Sequence, residues 1–432
     1  MKNPTAAAAM TRAKTITTAT SARIESRAVY LRRTGVAGRL SFATPRRRGG
    51  VARPLQSLYI ELLPMRPTRA RPLTIVADDL TGACDTGTLF AARAPVPVTV
   101  WPRRAVEAAV RVVDTETRSL APAEAAERVA VVAARGRAGS WFKKIDSTLR
   151  GPIGAEVHAL MRALGSSTAI VCPAFPAQRR VVLDRVLLVD GVPVADTPVG
   201  RDPSFPAGGS SVVDLLRPQL DRALAWIPIE QLRTDPEALT ARLRRLAGTV
   251  IVVDAETDAD LDALVEAALA VTPGPLLVGA AGLARALAAR LGLLSERADL
   301  PAGSHWLVVA GSLHPATRRQ IREARAAGLT VLATPEHSAG DGVGALARLI
   351  EQAVAALQRE PWDLVVVTGG ETAAALWTAL DAERIDLVGA PAPGLAFGHL
   401  RAPGRDPLPW LTKAGGFGAP DLLVSLQRET VA

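Results

Sequence analysis

From Pro72 onward the chain alternates short β-branched runs with Ala-, Leu- and Arg-rich stretches whose apolar residues recur at helical spacing. That alternation confines it to the α/β class, with largely parallel sheets flanked by helices, because each parallel pair needs a crossover and each sheet face needs cover. The spacing predicts strands over Leu73–Ala77, Val96–Trp101, Val110–Asp114, Trp141–Ile145, Ala169–Cys172, Thr249–Val253 and Pro275–Val278. Beyond Ser304 it predicts Trp306–Ala310, Thr330–Ala333 and Asp363–Thr368. Helices are predicted between them, among others over Pro122–Ala134, Ala155–Ala163, Pro236–Leu246, Ala259–Leu269, Pro315–Ala326 and Gly344–Leu357. The polar segment Ser295–Ser304, carrying Pro301 and Gly303, is the best interdomain boundary. The expectation is two α/β domains, residues 65–298 and 299–432, and a length of 432 residues suits two.

The formal charge of +9 would suggest a nucleic-acid partner if it were spread over the chain. It is not: residues 1–64 hold 12 Lys and Arg against Glu25 and Glu61, while residues 65–432 hold 39 basic and 40 acidic groups. No nucleic-acid partner is expected for the folded part. Residues 1–64 lack an apolar period and read as a disordered basic extension, with Met65 the expected start; an Arg-rich transit peptide and a nucleic-acid arm are the alternatives. Cys84 and Cys172 are too few for a disulfide framework and show no zinc-ligand spacing. The longest apolar uncharged run, Ala267 to Ala284, is interrupted by Pro273-Gly274-Pro275, which a membrane span tolerates poorly. A cytoplasmic protein with no membrane partner is expected, and a homodimer is left open.

In parallel sheets ligands gather beyond the carboxyl ends of strands, so those turns carry the functional reading. Ala77-Asp78-Asp79-Leu80-Thr81-Gly82 sets two carboxylates after an apolar strand; such a pair can take a proton from a hydroxyl or hold Mg²⁺, or one acid can simply cap the helix. The block Lys143-Lys144-Ile145-Asp146-Ser147-Thr148-Leu149-Arg150-Gly151 concentrates cations and hydroxyls at a helix start, as an anionic small molecule requires. Residues 65–432 contain 36 arginines but only Lys143, Lys144 and Lys413, which marks positions where a compact ammonium is needed. Pro-rich turns after Cys172, with Arg179 and Arg180, could wall a polar pocket or be plain turns. Three glycine turns follow: Gly311-Ser312-Leu313-His314-Pro315, Gly369-Gly370-Glu371-Thr372 and Lys413-Ala414-Gly415-Gly416-Phe417-Gly418. Glycine lets backbone amides approach phosphate closely, and three such turns in one domain favour a nucleotide site. No Gly-Lys pair exists for a P-loop, and Gly342-Val343-Gly344 follows the polar stretch Glu336–Asp341 where a dinucleotide fingerprint needs a strand. The five histidines have no metal-ligand spacing, and no nucleophile elbow is present.

From Leu73 to Leu426 the sequence resembles the four-carbon acid sugar kinases, through Ala-Asp-Asp-Leu-Thr-Gly-Ala at 77–83, Lys-Lys-Ile-Asp-Ser-Thr-Leu-Arg-Gly at 143–151, Gly-Gly-Glu-Thr-Ala at 369–373 and Lys-Ala-Gly-Gly-Phe-Gly at 413–418. The resemblance implies a sugar-acid-binding N-terminal domain, an ATP domain, and reaction in the cleft between them. It implies that Asp78 or Asp79, Arg118 and Lys143, Lys144, Ile145 and Asp146 hold a small sugar acid; one of Asp78 and Asp79 is further expected to be catalytic, and Ser147, Arg150 and Arg180 to join the acid site. Ser312, Gly369, Gly370, Glu371, Thr372, Lys413, Gly415 and Gly416 would bind ATP, with Mg²⁺ as cofactor. The expected reaction is ATP-dependent phosphorylation of a terminal hydroxyl of a threonate- or erythronate-type acid; the alternative is a sugar-acid sensor that keeps the pocket without turnover. Arg179 and Arg185 stand where the resemblance leads one to expect glycine, and Ala390 where it leads one to expect an acid.

Overall fold

A computed structural model describes residues 72–136, 139–206, 209–335 and 342–431; the expected basic extension 1–64, the start at Met65 and the polar stretch 336–341 lie outside them. The central strand β1 (Leu73–Ala77) is buried along its whole length, as a strand covered on both faces must be. It pairs in parallel with β3 (Val110–Asp114) and β4 (Ser140–Lys144). β2 (Val96–Val100) lies outside β3. On the other side follow β11 (Leu276–Gly279), β5 (Ala169–Cys172), β10 (Val250–Val253) and β9 (Leu224–Ile227), all parallel. The second half adds β12 (Trp306–Ala310), β13 (Thr330–Ala333), β14 (Leu364–Thr368), β15 (Arg384–Gly389), β16 (Leu395–Arg401) and β17 (Leu408–Lys413).

Each strand expected from the β-branched runs is present, with ends within a residue. The antiparallel elements were not expected. β16 runs antiparallel to β15 and β17, and β15 pairs antiparallel with β2, so both halves join in one 14-stranded sheet. β15 is buried only at alternate positions, so it lacks the continuous apolar run by which the buried parallel strands are recognised. Alternation also divides the core: Leu307 and Val309 of β12 belong to the main apolar cluster, which includes Ile75, Val112, Leu387 and Trp410, whereas Trp306 and Val308 face a smaller one with Leu411.

A small separate meander, β6 (Arg180–Leu183), β7 (Val186–Val189) and β8 (Val192–Pro193), was also not expected. Its first turn puts Asp184 and Arg185 at φ +50° and +70°, the left-handed pair that a two-residue hairpin requires. Arg179 takes φ +52°. Both arginines thus occupy conformations in which glycine is unstrained. Asp254 accepts from the backbone N–H groups of Asp184 and Arg185 and from Trp226 Nε1, and the Arg185 guanidinium lies 4.8 Å from the Trp226 ring centroid.

Four helices position the site: α1 (Leu80–Thr88), α2 (Ile153–Leu164), α3 (Pro315–Ala326) and α4 (Gly370–Ala379). α1 starts from Asp79, whose side chain accepts from Gly82 N–H, and wedges between the halves. A Cβ on Gly87 would lie 2.5 Å from Leu387 of β15 and 3.0 Å from Val112 of β3, so only glycine permits this approach.

Candidate active site

Asp78 and Asp79 emerge from β1 at the sheet's carboxyl edge. The Asp78 carbonyl accepts the N–H groups of Thr117 and Arg118, which brings the Arg118 side chain back over the pair. Arg118 Nε donates to Asp78 Oδ2 at 2.7 Å and its terminal nitrogen to Asp79 Oδ1 at 2.6 Å, with Asp146 Oδ1 at 3.7 Å. Burial would raise the Asp78 pKa, but Arg118, Lys144 and Lys143 outweigh it and hold the carboxyl below its usual range. Burial would likewise raise Asp146, but Arg150 and Arg118 hold it well below that range. Arg150 grips Asp146 with two nitrogens, at 2.8 and 3.1 Å, and reaches Asp202 at 3.2 Å.

The two lysines of this loop part company. Lys143 is fully buried, 3.1 Å from Glu156 of α2, which also accepts from Thr117, so its ammonium supports the loop from beneath. Lys144 turns the other way: its Nζ donates to the Ile145 carbonyl at 2.8 Å and sits over α1, where a Cβ on Gly82 would come within 2.9 Å of it. Ile145 contributes that carbonyl while its side chain is in the core. Ser147 accepts from Arg180 of β6, whose guanidinium lies 5.8 Å from the Phe417 ring centroid in the second half. Among the described residues, Asp78 Oδ1 and Arg180 Nε are buried without a hydrogen-bond partner.

The three glycine turns converge because β12, β14 and β17 are parallel neighbours ending at one edge. Gly369, at φ +97°, donates its N–H to the Lys413 carbonyl and caps α4. A Cβ on Gly415 would lie 2.6 Å from Ser312 Oγ, and one on Gly311 2.1 Å from Thr372 Oγ1. From α3, Thr317 donates to the Gly415 carbonyl and Gln320 to the carbonyls of Phe417, Gly418 and Ala419, pinning the last turn. Gly416 packs on the His314 ring, and Glu371 is exposed in the first turn of α4. Lys413 is fully buried, donates to the Ala414 and Gly415 carbonyls, and is pushed down to about 8 by burial. Among the described residues neither Lys144 nor Lys413 forms an ion pair.

The halves meet at Asp79. A Cβ on Gly370 would lie 3.0 Å from Asp79 Oδ2 and 3.4 Å from Thr81 Oγ1, so the amino end of α4 faces the paired acids across the cleft. Ala390 lies apart from these groups: its carbonyl accepts from Ala298 N–H at 3.1 Å. Sequence reasoning passed over Glu156, Gln320 and Asp85, and noted Asp202 only within a Pro-rich turn that could wall a polar pocket or be a plain turn. Of these only Asp85, three residues after Gly82 on α1, carried a local signal.

Basic and acidic side chains at the ends of β1 and β4 thus lie against the glycine-lined amino end of α4 in a two-part α/β fold. Residues 73–287 match the sugar-binding N-terminal domain family and residues 337–423 the nucleotide-binding C-terminal domain family. The chain is 31% identical over 414 residues to a D-threonate kinase of Salmonella typhimurium, covering 81% of this chain and 96% of that one. It is 31% identical over 421 residues to a 3-oxo-tetronate kinase of Methylobacterium radiotolerans, covering 81% and 97%. A D-erythronate kinase of Heliobacterium modesticaldum is 34% identical over 270 residues, 58% of this chain and 59% of that one. The solved Haemophilus influenzae protein HI1011 shares the fold at TM-score 0.66 and 20% identity, over 83% of this chain and 100% of that one. The chain belongs to the four-carbon acid sugar kinase family. Among the described residues no helix is long and apolar enough to cross a membrane.

Proposed function

We propose that the protein transfers the γ-phosphoryl group of ATP to a hydroxyl of a four-carbon sugar acid of the threonate or erythronate type. The observation that carries this reading is the pair of buried ammonium groups that form no direct ion pair among the described residues, Lys144 on the first half and Lys413 on the second. A buried charge left unpaired is costly, so each position calls for an anion: a substrate carboxylate at Lys144 and phosphates at Lys413. Asp78 Oδ1, buried and without a donor among the described residues, would accept a hydrogen bond from a substrate hydroxyl, while Asp79 and Arg118 would hold the acceptor side against the amino end of α4. Arg150, Asp146, Ser147 and Arg180 complete the acid-binding wall. Ser312, Gly369 to Thr372, Gly415 and Gly416 line the phosphate side, where the α4 dipole and free N–H groups favour negative charge.

No three His, Cys, Asp or Glu side chains cluster as a metal cage among the described residues. That suits Mg²⁺, which keeps several waters and rides on substrate phosphates with few protein ligands; Glu371 is the group that would reach it. The ion would neutralise phosphate charge during transfer. A coupled ADP-release assay over a panel of D-threonate, D-erythronate and 3-oxo-tetronate is expected to show acid-dependent turnover. Saturable binding of an acid with no ADP release would favour a sensor instead.

A further inference from the structure

We propose that Asp85 is the proton acceptor of the transfer, the carboxylate that takes the proton of the attacking hydroxyl. This rests on the kinase reading above. Gly82 and Asp85 are three residues apart on α1 and share a face of the helix. Helical side chains lean toward the amino end, which carries the Asp85 carboxylate toward Gly82, the place over which Lys144 Nζ sits. Its charged neighbours are Lys144 from β4, Asp79 at the start of its own helix and Arg180 from β6, the groups assigned here to the sugar acid.

The acids at the ends of β1 and β4 each carry hydrogen bonds, although Asp78 keeps Oδ1 without a donor among the described residues. Asp78 is tied to Arg118, Asp79 accepts from Arg118, Thr81 and Gly82, and Asp146 from Arg150 and Thr148. Asp78 and Asp146, held as anions below the usual carboxylate range by these cations, are poor bases. The Asp85 carboxylate is half-buried, and among the described residues no hydrogen bond or ion pair engages it. Burial, offset by Lys144 and reinforced by Asp79, pushes it up to about 6, the range suited to accepting a proton near neutral pH. In the step, the hydroxyl oxygen bonds to the γ-phosphorus as the bond from that phosphorus to the bridging oxygen breaks. The bridging oxygen keeps the electron pair and leaves on ADP, and the hydroxyl proton passes to Asp85 and then to solvent.

The full chain and its Asp85→Asn and Asp85→Glu variants are to be assayed for ADP release from pH 5 to 8.5 with the most active acid of the panel, and sugar-acid binding measured by calorimetry. The wild type should lose about tenfold in kcat/KM per pH unit below about 6, and Asp85→Asn about 10²-fold or more in kcat, with no acid limb and sugar-acid affinity within about threefold of wild type. Asp85→Glu should recover part of the rate together with an acid limb. Turnover by Asp85→Asn within about threefold of wild type, or a lowered rate that keeps the limb near pH 6, would overturn the assignment. Either of those results comes from a working kinase and so leaves the family reading intact, which stands or falls on the wild-type rate alone.

Discussion

Lys413 carries a buried ammonium whose charge is sensitive to pH. Burial alone depresses it to about 8, so its charge fades above that pH, and an anion bound beside it must then bring a proton along. ATP affinity should therefore weaken by up to about tenfold per pH unit above pH 8, and Lys413→Met should bind more weakly at pH 7 with little change up to pH 9. Calorimetric titrations at pH 7, 8 and 9 decide this; parallel slopes for the two proteins would remove Lys413 from the nucleotide site. On the acid side, Lys144→Ala should weaken sugar-acid binding by about 1.5–3 kcal/mol with ATP affinity little changed, because it removes one charged hydrogen bond. Equal loss of both affinities would mean that the lysine serves the cleft as a whole. The lysine scarcity in the sequence pointed to all three positions, yet Lys143 is held by Glu156, thirteen residues away on another element. Which lysine faces the cleft depends on strand pleat and on a nonlocal partner, and spacing shows neither.

At the level of elements, the amino end of α4 and the hairpin β6–β7 make separate demands on the backbone. Gly370→Val puts a branched side chain within reach of Asp79 and Thr81 at the proposed phosphate site, so ATP binding should fall below detection by equilibrium titration while sugar-acid binding persists. Unimpaired ATP binding would place the phosphates elsewhere. In the hairpin, Asp254→Ala leaves the N–H groups of Asp184 and Arg185 and the Trp226 indole without their acceptor. That should destabilise the protein by about 2–3 kcal/mol, read as a lowered denaturation midpoint with unchanged denaturant slope. A midpoint equal to wild type would show that Arg185 stacking on Trp226 holds the turn by itself. Neither Asp184 nor Arg185 announces a left-handed turn, since the usual signal is Asn-Gly or Asp-Gly; the conformation is imposed by an aspartate some seventy residues later.

The whole molecule is organised by α1, which belongs to the sugar-binding half but packs on β15 of the nucleotide-binding half. Gly87→Val would push against Leu387 and Val112 at that seam, costing about 1–3 kcal/mol of stability. Because donor and acceptor must meet to within a bond length, kcat should drop by about 10²-fold while each ligand, titrated separately, still binds. Turnover that holds steady despite the lost stability would show that the seam does not set their alignment. The sequence by itself determined the α/β class, the parallel strands other than β9 and β17, the paired acids, the basic loop and the glycine turns, because these are written in local period and in the residues just after each strand. Only the tertiary structure decided that β15 joins β2, that Lys143 turns inward and Lys144 outward, and that the Asp85 carboxylate makes no hydrogen bond or ion pair among the described residues. Those outcomes depend on which distant groups share the same buried space, and burial and pairing between distant segments leave no period in the sequence.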